Sequence, residues 1–409
     1  MKKVFAVFLG VLTAIGGFVD MGDLVANAET GARFDMNLAW VVLVGIVGIV
    51  VYAEMAGRIA AVTRRPVFDL VRERLGPRFG AINLAASFGI NVLTLIAELA
   101  GVSIAISLVA SVDYLLLLPV SALMVWLVVW RMPFETMERV FGLAGLALIV
   151  FAVAVVHIGP DWDALLRGAA TPQVPHGEGL PTYLYYAIAL FGAAMTPYEV
   201  FFFSSGAVED RWTTKDLALN RVNVFLGFPL GGLLSLSIMA GAHLVFAPAG
   251  VSVEDLSQVP LPVSMQLGKL GLAAAIIGIF AATFGAALET SMSAGYIVAQ
   301  YFGWQWGKYV APRTAARFHV VILGTMVLAV LIGLSGVDAV KVTEYSIVLS
   351  AAALPLTYFP ILVIANDPEY MAERSNGRVL NGIASVYLVL LVVVALAAIP
   401  LMIATRGGQ

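Results

Sequence analysis

Residues 16–31 read GGFVDMGDLVANAETG; they follow fifteen almost wholly apolar residues and place two acids, Asp20 and Asp23, three positions apart. Two readings compete. With Lys2 and Lys3 as a charged start and Ala26-Asn27-Ala28 as an A-x-A cleavage site, residues 1–28 have the form of a secretory leader. Alternatively, the stretch is a membrane helix that breaks near its middle because something binds there.

Composition sets the class. Of 409 residues, 61% are hydrophobic and 12% charged, and the mean hydropathy is +0.95. Soluble domains hold about 45–50% apolar and about 25% charged residues. The chain therefore reads as an integral membrane protein, and its apolar runs have the length of helices rather than barrel strands. Cysteine is absent, which excludes disulfides, thiolate metal sites and thiol nucleophiles. His157, His176, His243 and His319 are too scattered in sequence for a His-rich zinc site. No feature points to nucleic acid or to an obligate protein partner, and the expected surroundings are the lipid bilayer.

Eleven apolar segments are expected at roughly 4–27, 38–61, 80–110, 113–130, 138–158, 181–206, 219–247, 270–302, 316–335, 343–365 and 380–404. With the N-terminus inside, only Arg33, Arg167, Lys269, Lys341 and Arg406 of the 23 Lys and Arg fall on the outer side. The positive-inside rule then predicts a multi-pass cell-membrane protein with a cytoplasmic N-terminus and an outside C-terminus. A chain whose later helices insert by themselves needs no cleaved leader, so this weakens the leader reading without excluding it.

The longest outer loop, HIGPDWDALLRGAATPQVPHGEGLPT, separates five segments from five more. Because five is odd, a duplication would start its second copy from the opposite face. The expected organisation is one transmembrane domain with a first repeat at 1–160, an inverted second repeat at 178–366 and an additional helix at 380–404.

In inverted-repeat transporters, corresponding helices of the two halves are broken at the midplane, where substrate binds. Segment 6, the counterpart of segment 1, reads ALFGAAMTPYEVFFFSS and carries Pro197 and Glu199 about halfway along. Proline removes a backbone donor and clashes one turn back. Each mid-span acid costs about 2.5–3.5 kcal/mol on insertion scales. Asp20, Asp23 and Glu199 therefore need a partner; no Lys or Arg is placed within a segment core, and a bound cation fits. Removing one of these acids is expected to hold or raise stability in the absence of metal. Glu98 in segment 3 and Glu289 in segment 8 occupy related places and are candidates for the permeation path or a proton route, or for bonding to a neighbouring Ser or Thr. His243 and His319 read as interfacial.

These residues resemble the Nramp family of divalent-metal transporters, whose fold is the LeuT-like inverted repeat. That family has Asp-Pro-Gly-Asn in helix 1 and Met-Pro-His in helix 6, where this chain has DMGD at 20–23 and TPY at 196–198. AEMAGRIAAVTRRPVFDLVRERLG, LIAELAGVSIAISL, SAGYIVAQYF and LSAAALPLTYFPILVIANDPEYM are similar in the same order. The resemblance implies an all-α membrane fold with about eleven helices, and a metal site that includes Asp20. It also places substitutions. Asp23 stands at the family's asparagine, Thr196 at its methionine, Tyr198 at its histidine and Glu199 at the following asparagine. Leu95 replaces a proton-carrying aspartate, and Glu98 is retained. The pattern is similar to the Nramp-related magnesium transporters, although a one-residue shift would let Met195 restore a thioether.

Mg²⁺ is a hard ion that prefers one or two carboxylates plus waters, whereas thioethers select softer metals. The expected ligands are Asp20, Asp23, Thr196 and Glu199, with backbone carbonyls near Gly17 and Ala193 completing the shell. Glu98, Glu289 and Tyr198 are the candidates for the pathway or for proton transfer. The expected function is secondary transport of Mg²⁺, with Mn²⁺ as second candidate, by alternating access and with weak or no proton coupling. No enzyme activity and no cofactor is expected, the metal being the cargo. The alternatives are a proton-coupled Mn²⁺ or Fe²⁺ importer of ordinary Nramp type and a LeuT-like carrier of an organic substrate, for which Tyr198, Phe201, Phe202 and Phe203 offer aromatic lining.

Overall fold

A computed structural model describes residues 11, 18–175 and 177–408. Among these residues there are helices and no strands, and ten helical stretches are long and apolar enough to cross a membrane. The principal helices are α1 (Met21–Phe34), α2 (Ala39–Thr63), α3 (Val67–Leu75), α4 (Pro77–Ala110), α5 (Tyr114–Arg131), α6 (Phe134–Gly145), α7 (Ile149–Ile158) and α8 (Trp162–Ala170). There follow α9 (Leu180–Ala194), α10 (Pro197–Glu209), α11 (Leu217–Val245), α12 (Leu261–Phe302), α13 (Ala316–Gly333), α14 (Ala339–Ala365), α15 (Pro368–Met371) and α16 (Arg378–Ala404). The first part of segment 1, with Gly17, and His176 lie outside the described residues.

The core is built around α1, α9 and α10. Most residues of these three helices are buried, whereas α16 presents Val386, Leu396 and Ile403 outward. Apolar side chains outward and acids inward is the pattern of a bundle whose solvent is lipid. Small residues let the central helices approach closely. A Cβ on Gly31 of α1 would run into the Met239 backbone of α11, and one on Gly192 of α9 would press on the Ile347 carbonyl of α14. These two contacts fix α1 and α9 against their neighbours and so set the position of the breaks.

Four expectations need correcting. Segment 1 runs to Phe34 rather than stopping near 27, ending where Asp35 takes a positive φ of 56° and Arg33 occupies the last turn. Cations are favoured there by the helix dipole. Ala26, Asn27 and Ala28 are buried within α1, so the stretch read as a cleavage site is part of the folded core. The long outer loop contains α8, whose Asp161 cap accepts from the amides of Asp163 (3.0 Å) and Ala164 (3.1 Å). Finally, no Lys or Arg was expected within a segment core, yet Arg58 is buried in α2 one turn from Glu54; its Nε is 3.2 Å from that carboxylate, and its other nitrogens reach the Asn376 side chain and the Arg374 carbonyl.

Candidate metal-binding site

The first break lies at Val19 and Asp20. Phe18 is helical, Val19 is a bend, Asp20 is extended (φ −108°, ψ −175°), and α1 restarts at Met21. A restarting helix exposes amides with no partner of their own, and acids fill that role here. The Asp20 Oδ1 accepts from the Asp23 amide at 2.8 Å, and the Asp20 carbonyl accepts from the Leu24 amide at 2.9 Å. The Met21 amide donates to the Glu98 carboxylate of α4, at 3.1 and 3.2 Å to its two oxygens. Thus Glu98 bonds to the start of α1 and not to a neighbouring Ser or Thr, and two acids meet the positive end of that helix.

The second break lies at Met195 and Thr196. The helix α9 ends at Ala194, Met195 leaves helical geometry (φ −127°, ψ 48°), and Thr196 is extended before Pro197 opens α10. The chain is thus broken here, as the sequence led us to expect, and Pro197 does not kink a continuous helix. It sits at the first position of a new one, where a missing N–H costs nothing and the ring's fixed φ suits the helix. The Met195 carbonyl freed by the break accepts from the Tyr358 hydroxyl at 3.2 Å.

A hydrogen bond joins the two breaks, from the Tyr198 hydroxyl to Asp20 Oδ2 at 3.1 Å. Glu199 is buried in the first turn of α10 and is an electrostatic neighbour of Glu289, Asp20 and Asp23. Asp23 turns toward α11: it accepts from the Asn27 side chain at 2.9 Å and from the Ser235 hydroxyl. Thr196 is the N-terminal flanking residue of α10, Ala193 is in the last turn of α9, and both are buried. The Met195 sulfur packs at Gly48 of α2, beside the Tyr387 ring of α16. Leu95 is fully buried on α4.

Asp20, Tyr198 and Glu98 are thus joined by hydrogen bonds at the breaks, while Asp23 is held to one side by Asn27 and Ser235. Among the described residues no three His, Asp or Glu side chains converge closely enough to hold a metal ion in this conformation. Sequence reasoning missed Asn27, Ser235 and Tyr358. Asn27 follows Asp23 at the i, i+4 spacing that brings helix side chains together, which was the available signal. Nothing local marked Ser235 or Tyr358, whose roles depend on packing between distant segments. His243 stands 3.0 Å from Asp35, consistent with its place near the end of α11.

A family profile described as natural resistance-associated macrophage protein-like matches residues 10–401. The divalent metal cation transporter MntH of Pectobacterium carotovorum is 25% identical over 389 residues, covering 92% of this chain and 89% of that protein. The manganese transporter of Eremococcus coleocola, solved with an aromatic bis-isothiourea compound, superposes with a TM-score of 0.72 at 19% identity, over 99% of this chain and 88% of that one. A nucleobase-cation-symport-1 family transporter in a closed conformation superposes with a TM-score of 0.62 at 16% identity, over 98% of this chain and 92% of that one.

Proposed function

The chain belongs to the Nramp family, and from that premise we propose that it is a transporter of divalent metal cations whose preferred cargo is Mg²⁺, with Mn²⁺ second. The observation that carries the preference is the position of Met195. Its sulfur is packed against Gly48 of α2 and the Tyr387 ring of α16, and in this reading the side chains offered at the breaks are Asp20, Thr196, Tyr198 and Glu199. All of their ligating atoms are oxygens. An oxygen set with carboxylates suits a hard, partly hydrated ion, and without a thioether nothing in the set favours a soft one. The carbonyls of Gly17 and Ala193, and Asp23 after release from Ser235, complete the shell in this reading.

The two breaks act as counterparts in an inverted repeat formed by residues 1–160 and 178–366. Alternating access then follows from movement of α1 and α10 about the paired breaks. The loop charges place the N-terminus in the cytoplasm and the C-terminus outside, in the cell membrane. Proton coupling is weak or absent. Tyrosine has an ordinary pKa of about 10 and is a poor proton carrier near neutrality, and Leu95 offers no relay on α4.

The test is uptake into proteoliposomes. Wild-type protein should accumulate Mg²⁺ and Mn²⁺ under a negative-inside potential, and Asp20→Asn should abolish both. Equal uptake by the variant would overturn the site, and uptake of neither metal by the wild type would overturn the function.

A further inference from the structure

Toward the Phe34 end of α1, Glu29 meets a second acid, Glu344 of α14, and the two carboxyl groups are in hydrogen-bonding contact. At 1.5 Å per residue the pair lies about 14 Å along the helix from Asp20. Two carboxylates this close repel unless a proton or a cation sits between them. The Tyr186 hydroxyl donates to Glu29. The neighbouring Tyr185 is only 1% exposed, its hydroxyl has no partner among the described residues, and its electrostatic neighbours are Glu344, Glu29 and Tyr345. A buried hydroxyl left unpaired costs about 1–3 kcal/mol, so its presence beside two acids calls for a ligand.

The nearby charges support a cation. Arg33 is committed to Glu178 through a two-pronged pair, Nε to Oε1 at 2.6 Å and Nη2 to Oε2 at 3.2 Å, and its Nη1 donates to the Gly408 carbonyl at 2.7 Å. On α14, Asp338 and Lys341 offset each other in sign. Arg33 is also an electrostatic neighbour of Glu29, and Lys341 of Glu344, but among the described residues no hydrogen bond joins either cation to the pair, whose hard oxygen donors stay open to a bound cation. Both acids are partly exposed, so the pair is not sealed inside the protein.

We infer that Glu29, Glu344 and Tyr185 form a second divalent-cation site, separate from Asp20, that captures the ion before it reaches the helix breaks. That the captured ion is the cargo rests on the transport reading above; that a cation binds there does not. The probe is Mn²⁺ alone, counted by the loss of its free-ion electron paramagnetic resonance signal on purified full-length protein. Asp20→Ala should retain one bound Mn²⁺. Adding Glu344→Gln should weaken that residual binding at least tenfold, and adding Tyr185→Phe should weaken it about threefold. Residual binding unmoved by either change would overturn the outer site. So would Asp20→Ala protein that binds no Mn²⁺ while wild type binds it, which leaves the transport reading intact. An outer site lost with Glu344→Gln, alongside a count unchanged by Asp20→Ala, would instead overturn the assignment of Asp20. If Glu344→Gln does not fold, Tyr185→Phe, which removes one oxygen, decides alone.

Discussion

Asp20 has two separable roles, and asparagine and alanine in its place separate them. Its Oδ1 caps α1 through the Asp23 amide at 2.8 Å, and its Oδ2 holds the Tyr198 hydroxyl at 3.1 Å, all in a buried setting. Asparagine caps a helix about as well as aspartate, whereas losing the cap costs about 1 kcal/mol. Alanine also strands the Tyr198 hydroxyl, at a further cost of about 1 kcal/mol. Both variants remove a mid-membrane charge worth about 2.5–3.5 kcal/mol on insertion scales. Without metal, Asp20→Asn should therefore match or exceed wild-type stability, and Asp20→Ala should fall about 2 kcal/mol below Asp20→Asn. This refines the expectation from sequence alone, in which removing an acid holds or raises stability whatever side chain replaces it. Loss of the charge should weaken Mg²⁺ binding in both variants by about 3 kcal/mol, roughly a hundredfold. Thermal unfolding in detergent, with and without millimolar Mg²⁺, reads both effects, because a ligand of the native state raises stability with its concentration. Metal-induced stabilisation that persists in Asp20→Asn, or equal stability of the two metal-free variants, would refute the reasoning.

Three further outcomes follow. Met195→Leu should leave the ratio of Mg²⁺ to Cd²⁺ affinity unchanged, because the sulfur packs at Gly48, while Thr196→Met should raise Cd²⁺ affinity about tenfold; calorimetric titration checks both. In proteoliposomes under a negative-inside potential, a lumenal pH dye should show no metal-dependent acidification if, as proposed, Tyr198 and Leu95 provide no proton relay; acidification lost in Asp20→Asn would show coupled proton import. Arg58→Met should destabilise the fold by about 3 kcal/mol because it leaves the buried Glu54 carboxylate facing the more distant, exposed Arg221 at 4.0 Å. Adding Glu54→Leu should recover most of that loss, as measured by thermal unfolding.

Most of the fold was legible because lipid leaves few options. Long apolar runs must be helices, and the segment from 80 to 110 is now α4, Pro77–Ala110. The breaks were legible as well, since Asp20 and Pro197 interrupt otherwise apolar runs. Their local geometry was not. Whether Pro197 kinks a helix or starts one depends on Met195 leaving helical conformation, which is settled by neighbours such as Tyr358. The direction of the Met195 sulfur depends on Gly48, far away in sequence. The partners of Asp23 show the same limit: Asn27 is one turn away and could be inferred, whereas Ser235 comes from α11. The buried ion pair of Glu54 and Arg58 was hidden among the basic residues that follow segment 2, where a count of charges by side treats every arginine as a loop residue.

The central claim is that the helix breaks form an oxygen site for a hard divalent ion. Its most direct test is calorimetric titration of purified wild-type protein with Mg²⁺, Mn²⁺ and Cd²⁺ in parallel, repeated on Asp20→Asn. Saturable Mg²⁺ and Mn²⁺ binding in the millimolar to sub-millimolar range, weak Cd²⁺ binding, and loss of Mg²⁺ binding in the variant are the predicted results. Low-micromolar Cd²⁺ binding by the wild type, with no heat from Mg²⁺, would contradict the account.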